Sequence, residues 1–549
     1  MIDKKNMGEK DDDVSPGVPA VGRRDLLKMG VGAGVVAMTQ MLNGPTASAQ
    51  VATTGSAQGR GSAASRPAGL ITETGVGWKN NANRASGNGP MDDTSRQIVT
   101  YVSSFSEAIL TDTLVDHLGY TMLDAMAALM AGFESEPARI CARMARSTQC
   151  DLKSTVLGYG ITTSPELAAY ANSSMLRYAD FNDDAPGRGQ HVSAIIPGIL
   201  AIGEALHSTG SQVLLAITLG YELVGGLSMA GGNQVGLDSW AFGPATTLAA
   251  GKLLGLNEDQ LANALSLALV PYVPLRVNRS GHLSMAKGCC NAPAIRNGVF
   301  SALLAREGMT GASQPFEGRD GLWDRITGPF TELRLPAAPT MSWGTSNKLD
   351  GRMCVQRERF KRYPTEGSTL AVLELIPAIR EWAKADDIAS IRVDFPFDVW
   401  MEIGDPPKWD PRNRETADHS IAYVLSRVLI DGEIYLDSFT PEKIMDPVVR
   451  RLMEKVTVRP DPNFTYQGQV RLTVRTKTGG ELIKESAIHS ATPMTHEEII
   501  AKFNRVCAFK RVADEQRDRA LAQWSNLRAV KDFAEPMRTL AKFGKPLPL

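Results

Sequence analysis

From about Ser95 the chain repeats apolar residues at intervals of three and four, the spacing of helices with a buried face. "LVDHLGYTMLDAMAALMAGF" and "PELAAYANSSMLRYA" show it first. "SAIIPGILAIGEALHSTG" and "SQVLLAITLGYELVGGLSMAGG" follow as two long apolar helices that end in glycine. "GPATTLAAGKLLGL" and "EDQLANALSLALV" continue the theme, and their small residues predict close helix–helix approach.

Near residue 350 the pattern changes. "DDIASIRVDFPFDVWMEIG" reads as strand, and "QGQVRLTVRTKTGGELIKESAI" alternates with period two, like a hairpin turning at Thr478-Gly479-Gly480. "STLAVLELIPAIREWAKA" and "HSIAYVLSRVLIDG" read as helices beside them, with no parallel βαβ alternation. "THEEIIAKFNRVCAF" is helical again, opened by a Thr495–Glu498 capping box. The expected fold is mainly α. A large all-helical domain takes residues 96–350, completed by 492–549, and a smaller α+β lid domain takes 351–491.

The N-terminal part stands outside this pattern. "GRRDLLKMGVGAGVVAMTQMLNGPTASAQ" has paired Arg23 and Arg24, a modest apolar run and the small residues Ala47-Ser48-Ala49. Residues 1–49 therefore read as a twin-arginine signal peptide, too short and glycine-rich in its apolar run to stay in a bilayer. That predicts export by the twin-arginine translocase and a periplasmic mature protein. Gly30, Gly32 and Gly34 imitate a dinucleotide fingerprint, but no strand precedes them and no βαβ unit surrounds them. Residues 50–95, rich in Ser, Gly, Ala and Asn, read as a flexible linker.

Charge and cysteine usage narrow the chemistry. Lys+Arg 59 against Asp+Glu 60 give a net charge of −1, so no global field recruits nucleic acid or a membrane surface. At 549 residues the chain is long enough for more than one core. Six cysteines show no C-x-x-C spacing, and the seven histidines do not cluster at metal-ligand spacing. The expected chemistry uses side chains alone, with no metal and no cofactor.

Three segments carry candidates. "RYADFNDDAPGRGQH" crowds Asp180, Asp183, Asp184 and His191 into one polar stretch between apolar helices. "PLRVNRSGHLSMAKGCCNAPAIR" brings Arg276, Arg279, His282, Lys287 and Arg296 with no acidic residue among them. "RERFKRYPTE" adds Arg357, Arg359, Lys361 and Arg362. An acidic-and-imidazole loop with two basic segments suits a small substrate bearing several carboxylates. Proton abstraction beside a carboxylate needs a base, an acid for the leaving oxygen, and cations to hold developing charge. Asp180 or His191 fits the base or acid, and Lys287 fits the anion clamp.

"AAYANSSMLRYADFNDDAPGRGQHVSAIIPGILAIGEAL" resembles the signature of the 2-methylcitrate dehydratase (MmgE/PrpD) family. The similarity continues through "GYEL", "AAGKLLGLNEDQLANALSLA", "FEGRDGLW", "FKRYPTEGSTLAVLEL", "ETADHSIAYVLSRVLIDG" and "HEEIIAKF". It runs from roughly residue 96 to the C-terminus. The resemblance implies a helical domain with an α+β lid, a homodimer, and cofactor-independent chemistry on a small di- or tricarboxylate. It places Asp180, His191, Lys287, Lys361 and Tyr423 at active-site positions, with His419 matching the dehydratase branch. With the acidic loop and the basic segment added, the expected catalytic residues are Asp180, His191, Lys287 and Tyr423, and Lys361, Asp184, His282, Arg279 and His419 are expected to bind the substrate. Asp184 stands where the family usually has Thr, Val192 follows His191 where the family has Pro, and Ser239 stands near a position that is His in many members. The implied activity is a hydro-lyase. An epimerase or decarboxylase sharing a carbanion-like intermediate, or an exported carboxylate-binding protein without turnover, are the alternatives.

Overall fold

Asp92 opens the first helix among the described residues, α1 (Asp93–Ser104), by accepting a hydrogen bond from the Ser95 amide at 2.7 Å. The computed structural model describes residues 90–184, 191–231, 237–272, 274–330, 332–337, 351–464, 468–486 and 493–549. The signal-peptide reading and nearly all of the linker reading lie outside them.

The fold is mainly α with small sheets. Its larger core is built from α1, α2 (Asp112–Gly132), α3 (Pro165–Tyr178), α4 (Ile196–Ala205), α5 (Gly210–Ala230), α6 (Phe242–Leu253), α7 (Glu258–Leu269) and α8 (Ala292–Arg306). Small residues let these helices approach closely, as the sequence predicts. At Gly132, near the end of α2, a Cβ would stand 2.0 Å from the Met175 carbonyl oxygen of α3, so only glycine fits. α5 is enclosed along almost its whole length, which explains why it is apolar all round. A short antiparallel pair, β1 (Ser154–Val156) with β2 (Ile161–Thr163), lies between α2 and α3 in the chain.

A second core gathers residues from Leu370 to Val474 around a four-stranded sheet. Its strands β3 (Ile388–Phe395), β4 (Val456–Pro460), β5 (Val470–Thr476) and β6 (Glu481–Ser486) lie in the order β4-β3-β5-β6. β5 and β6 form the antiparallel hairpin legible in the sequence. Two features differ from that reading. β3 ends at Phe395, and "FDVWMEI" is the helix α9 (Phe397–Ile403), because Pro396 supplies the extended turn before a helix start. β3 also pairs in parallel with β4, so one crossover is present after all, running through several helices. Among these is α10 (Ile421–Asp431), closed by Gly432 at φ 87°.

The chain then returns to the first core. α11 (His496–Phe509) opens with the Thr495–Glu498 capping box, and α12 (Asp514–Ser525) follows. Phe503, Val506, Cys507 and Trp524 are buried in that core. So are Cys354 and Val355, which places the segment leading to Lys361 against the helical core.

Candidate active site

α3 ends in a left-handed turn. Ala179 caps the helix and Asp180 takes φ 49°, a conformation non-glycine residues adopt at a cost of about 1 kcal/mol or more. The turn folds the Asp180 carboxylate back toward the Arg177 guanidinium, 2.9 Å away. Both side chains are buried.

Asp180 is the centre of the cluster. Its Oδ2 accepts from Lys287 Nζ at 2.6 Å and its Oδ1 from Lys361 Nζ at 2.7 Å. Each oxygen also faces an imidazole: His191 Nε2 lies 3.6 Å from Oδ1 and His419 Nε2 lies 3.7 Å from Oδ2. Burial alone would raise the carboxyl's pKa, but Arg177, Lys287 and Lys361 together hold it well below the usual carboxylate range. Asp180 is therefore ionised, one negative charge among three positive ones.

The sequence brings these parts together by stitching distant segments. Lys287 sits in the turn Met285–Gly288. Leu283 just before it donates to Thr416 Oγ1 and accepts from Asn413, while Lys408 reaches the Gly281 carbonyl at 2.8 Å. Arg414 donates to the carbonyls of Ala179 and Pro364, joining the Asp180 turn to the Lys361 segment. Lys361 itself donates to Thr365 and to the Asp180 carbonyl.

The two imidazoles are held in defined tautomers. His191 Nδ1 lies 2.7 Å from the Asp183 carbonyl oxygen, which can only accept, so Nδ1 carries the proton and the lone pair is on Nε2, toward Asp180. Burial, reinforced by Arg177 and Lys361, keeps the ring's pKa well below 6.5. His419 Nδ1 donates to Asp418 at 2.6 Å, and its Nε2 has no hydrogen-bond partner. Burial and the charge of Lys287 lower its pKa, against the pull of Asp418. At neutral pH both rings are neutral, with acceptor nitrogens facing one carboxylate.

Other residues expected at the site fall elsewhere. Asp184 pairs with Arg359 at 2.5 Å, and the two exchange backbone hydrogen bonds of 2.8 and 2.9 Å. Its charge is thus neutralised in joining the loop to the Lys361 segment. Arg279 pairs with Asp238 at 3.0 Å, and Ser239 also donates to Asp238. Arg279 still adds its field at His191. His282 is exposed, unlike the buried side chains of the cluster. Tyr423 belongs to the second core, where its hydroxyl donates to the Ser438 carbonyl at 2.5 Å, so the phenol is not turned to Asp180.

Sequence reasoning missed several members. Arg177 stood in the stretch already singled out, three residues before Asp180, and Asp418 stood beside His419. Helix spacing and adjacency were the available signals. Lys502 of α11 had none. Its buried ammonium donates to Asp124 Oδ1 at 2.5 Å, the Phe181 carbonyl at 2.6 Å and the Lys361 carbonyl at 3.0 Å. One side chain from the C-terminal helix thereby ties the backbones next to Asp180 and at Lys361.

Behind the loop lies a buried acidic pair. Asp183 accepts from Ser193 Oγ at 2.5 Å, from the Ser193 amide at 3.1 Å and from the Tyr221 hydroxyl at 2.9 Å. Glu358, which accepts from Thr121 and from His117 at 3.1 Å, lies near enough for its charge to act on Asp183. Two carboxyls buried in one apolar setting do not both stay ionised. Burial raises both pKa values, that of Glu358 to about 8.

Comparison with known proteins agrees with this frame. The MmgE/PrpD N-terminal domain matches residues 96–332 and the MmgE/PrpD C-terminal domain residues 363–527. The chain belongs to the MmgE/PrpD family. It is 25% identical to a cis-aconitate decarboxylase of Homo sapiens, over 82% of this chain and 95% of that protein. It is 28% identical to a mitochondrial 2-methylcitrate dehydratase of Yarrowia lipolytica, over 57% and 62%. A 2-methylcitrate dehydratase of Salmonella typhi is 25% identical over 67% and 77%. Relatives in this family are thus enzymes of more than one reaction type.

Proposed function

We propose that this chain is a lyase that takes a proton from carbon beside a carboxylate of a small hydroxy polycarboxylic acid and expels water. The observation that carries the reading is the neutral His191, its Nε2 lone pair facing a carboxylate that gathers Lys287, Lys361 and Arg177. The three cations outnumber Asp180, and the buried Arg177 guanidinium has donor hydrogens without acceptors. A substrate carboxylate supplies those acceptors. His191 Nε2 takes the carbon-bound proton, and the electron pair moves toward the neighbouring carboxylate, where the cations hold the developing charge. The C–O bond then breaks, with the leaving hydroxide protonated by the Lys287 ammonium. The proton on His191 then returns to Lys287 through solvent, which resets both groups, and the neutral His419, held by Asp418, borders Lys287.

A second reading, decarboxylation, is favoured by one observation: the similarity to the Homo sapiens cis-aconitate decarboxylase spans 95% of that protein. Loss of CO₂ leaves the same type of carbanion, held by the same cations and protonated by the Lys287 ammonium. The deciding experiment incubates the protein with a panel of di- and tricarboxylates and follows products by NMR. Unsaturated acid formed without CO₂ supports dehydration, CO₂ release supports decarboxylation, and no turnover of any acid leaves a binding protein. The same reading takes the mature enzyme to be a periplasmic homodimer that works without a cofactor, which cell fractionation, light scattering and activity after chelation test.

A further inference from the structure

His191 is fixed from both sides by one residue. The Asp183 carbonyl holds its Nδ1 at 2.7 Å, while the Asp183 carboxyl holds Ser193, two residues past the histidine, through its amide and hydroxyl. The carboxyl is anchored in turn to the Tyr221 hydroxyl of α5, and Glu358, which Thr121 of α2 and His117 hold, acts on it by its charge. All of these side chains except His117 are fully or nearly fully buried. The clamp therefore refers the position of His191 to α5, one of the two long helices of the core. Asp183 does not itself touch the Asp180 cluster through its carboxyl, so its part in the chemistry acts through His191.

The arrangement has a physical reason. An imidazole serves as a base only if its unprotonated nitrogen faces the reacting carbon, and a neutral imidazole exchanges tautomers freely unless an acceptor holds one nitrogen. A backbone carbonyl is such an acceptor, but a carbonyl next to a polar loop holds a ring only as well as its own peptide is held. The Asp183 side chain holds that peptide, and an added clamp at Ser193 stops the ring from leaving by its other flank. We propose that Asp183 is a positioning residue that fixes the Nδ1–H tautomer and the place of His191, using its buried bonds to Ser193 and Tyr221 as its anchor. The inference rests on the assignment of His191 as the base.

The test has one readout that does not depend on turnover. Histidine labelled with ¹⁵N reports the tautomer directly. The native protein is expected to show His191 with Nδ1 protonated at neutral pH. Asp183→Ala is expected to show a mixture of tautomers, a fall in kcat of tenfold or more, little change in KM, and a shifted acid limb of the pH profile. Asp183→Asn, which keeps an acceptor for Ser193, is expected to recover most of the native tautomer and rate. A native tautomer and native kcat in Asp183→Ala overturn the proposal. Should that variant fail to fold, Ser193→Ala and Tyr221→Phe remove the clamp piecewise, and unchanged spectra and rates in both overturn it equally. If the native tautomer is lost in Asp183→Ala while no acid is turned over by any form, the positioning stands and the functional reading fails.

Discussion

Lys287 Nζ lies 2.6 Å from Asp180 Oδ2, with both side chains 2% exposed. A buried pair of this kind is costly to break from one side, because the remaining charge loses its partner. The two sides are unequal here. Removing Lys287 leaves Asp180 with Arg177 and Lys361, whereas neutralising Asp180 leaves three cations facing one another. Asp180→Asn should therefore destabilise by about 3–5 kcal/mol and Lys287→Met by clearly less. Urea unfolding of the two variants measures the difference, and equal losses would show that the cations are not held by Asp180. Both substitutions should abolish most activity.

The pKa of His191 is depressed, so the ring stays unprotonated, and competent as a base, at pH values well below 6.5. The acid limb of kcat/KM should therefore lie well below pH 6.5. His191→Gln should lower kcat by roughly 10²–10⁴-fold with KM little changed. Rates measured across pH with the native protein and this variant check both statements.

Glu358 gives a pH signature in stability. Its folded pKa, raised by burial to about 8, exceeds the unfolded value, so the folded state holds a proton that the unfolded state has released. That contribution is fully present below the unfolded pKa and is lost as pH rises through the folded one. The Tm of the native protein should fall with rising pH between about pH 5 and pH 8 more steeply than that of Glu358→Gln. Parallel Tm curves would remove the proton on Glu358 from the account.

Lys502 should be more than a fold-stabilising lysine. Lys502→Met leaves Asp124 buried without its partner and frees the backbones beside Asp180 and Lys361, so both stability and kcat should fall. Adding Asp124→Asn should restore much of the stability and little of the rate. Denaturation and kinetics on the single and double variants separate the two effects.

Tyr423→Phe tests a residue that the family resemblance places at the chemistry and the structure places elsewhere. Loss of the bond to Ser438 should cost about 1 kcal/mol and leave kcat near native. A large fall in kcat at unchanged stability would return Tyr423 to the site.

How much the sequence discloses depends on range. Helices are legible because burial repeats within a turn or two, and the 470–486 hairpin because alternation and its glycine turn are local. Pro396 is just as local, yet the apolar residues on both sides of it made a strand and a helix look continuous. The parallel pairing of β3 with β4 joins segments more than sixty residues apart, and nothing local announces it. The same holds at the site. Asp180, His191, Lys287 and Lys361 stand out because charge in an apolar setting needs a reason. Lys502 and Glu358 gain meaning only when the fold lays them against Asp124 and Asp183. Tyr423 and Asp184 show the converse: residue type and position fit a site, and a neighbouring carbonyl or arginine claims the polar group.

The central claim is that His191 removes a carbon-bound proton within the Asp180 cluster. Solvent exchange reads that step without waiting for product. In D₂O, the native protein should incorporate deuterium beside a carboxylate of the polycarboxylate it turns over, and His191→Gln should slow that incorporation by two orders of magnitude or more. Exchange at the native rate in His191→Gln would contradict the account.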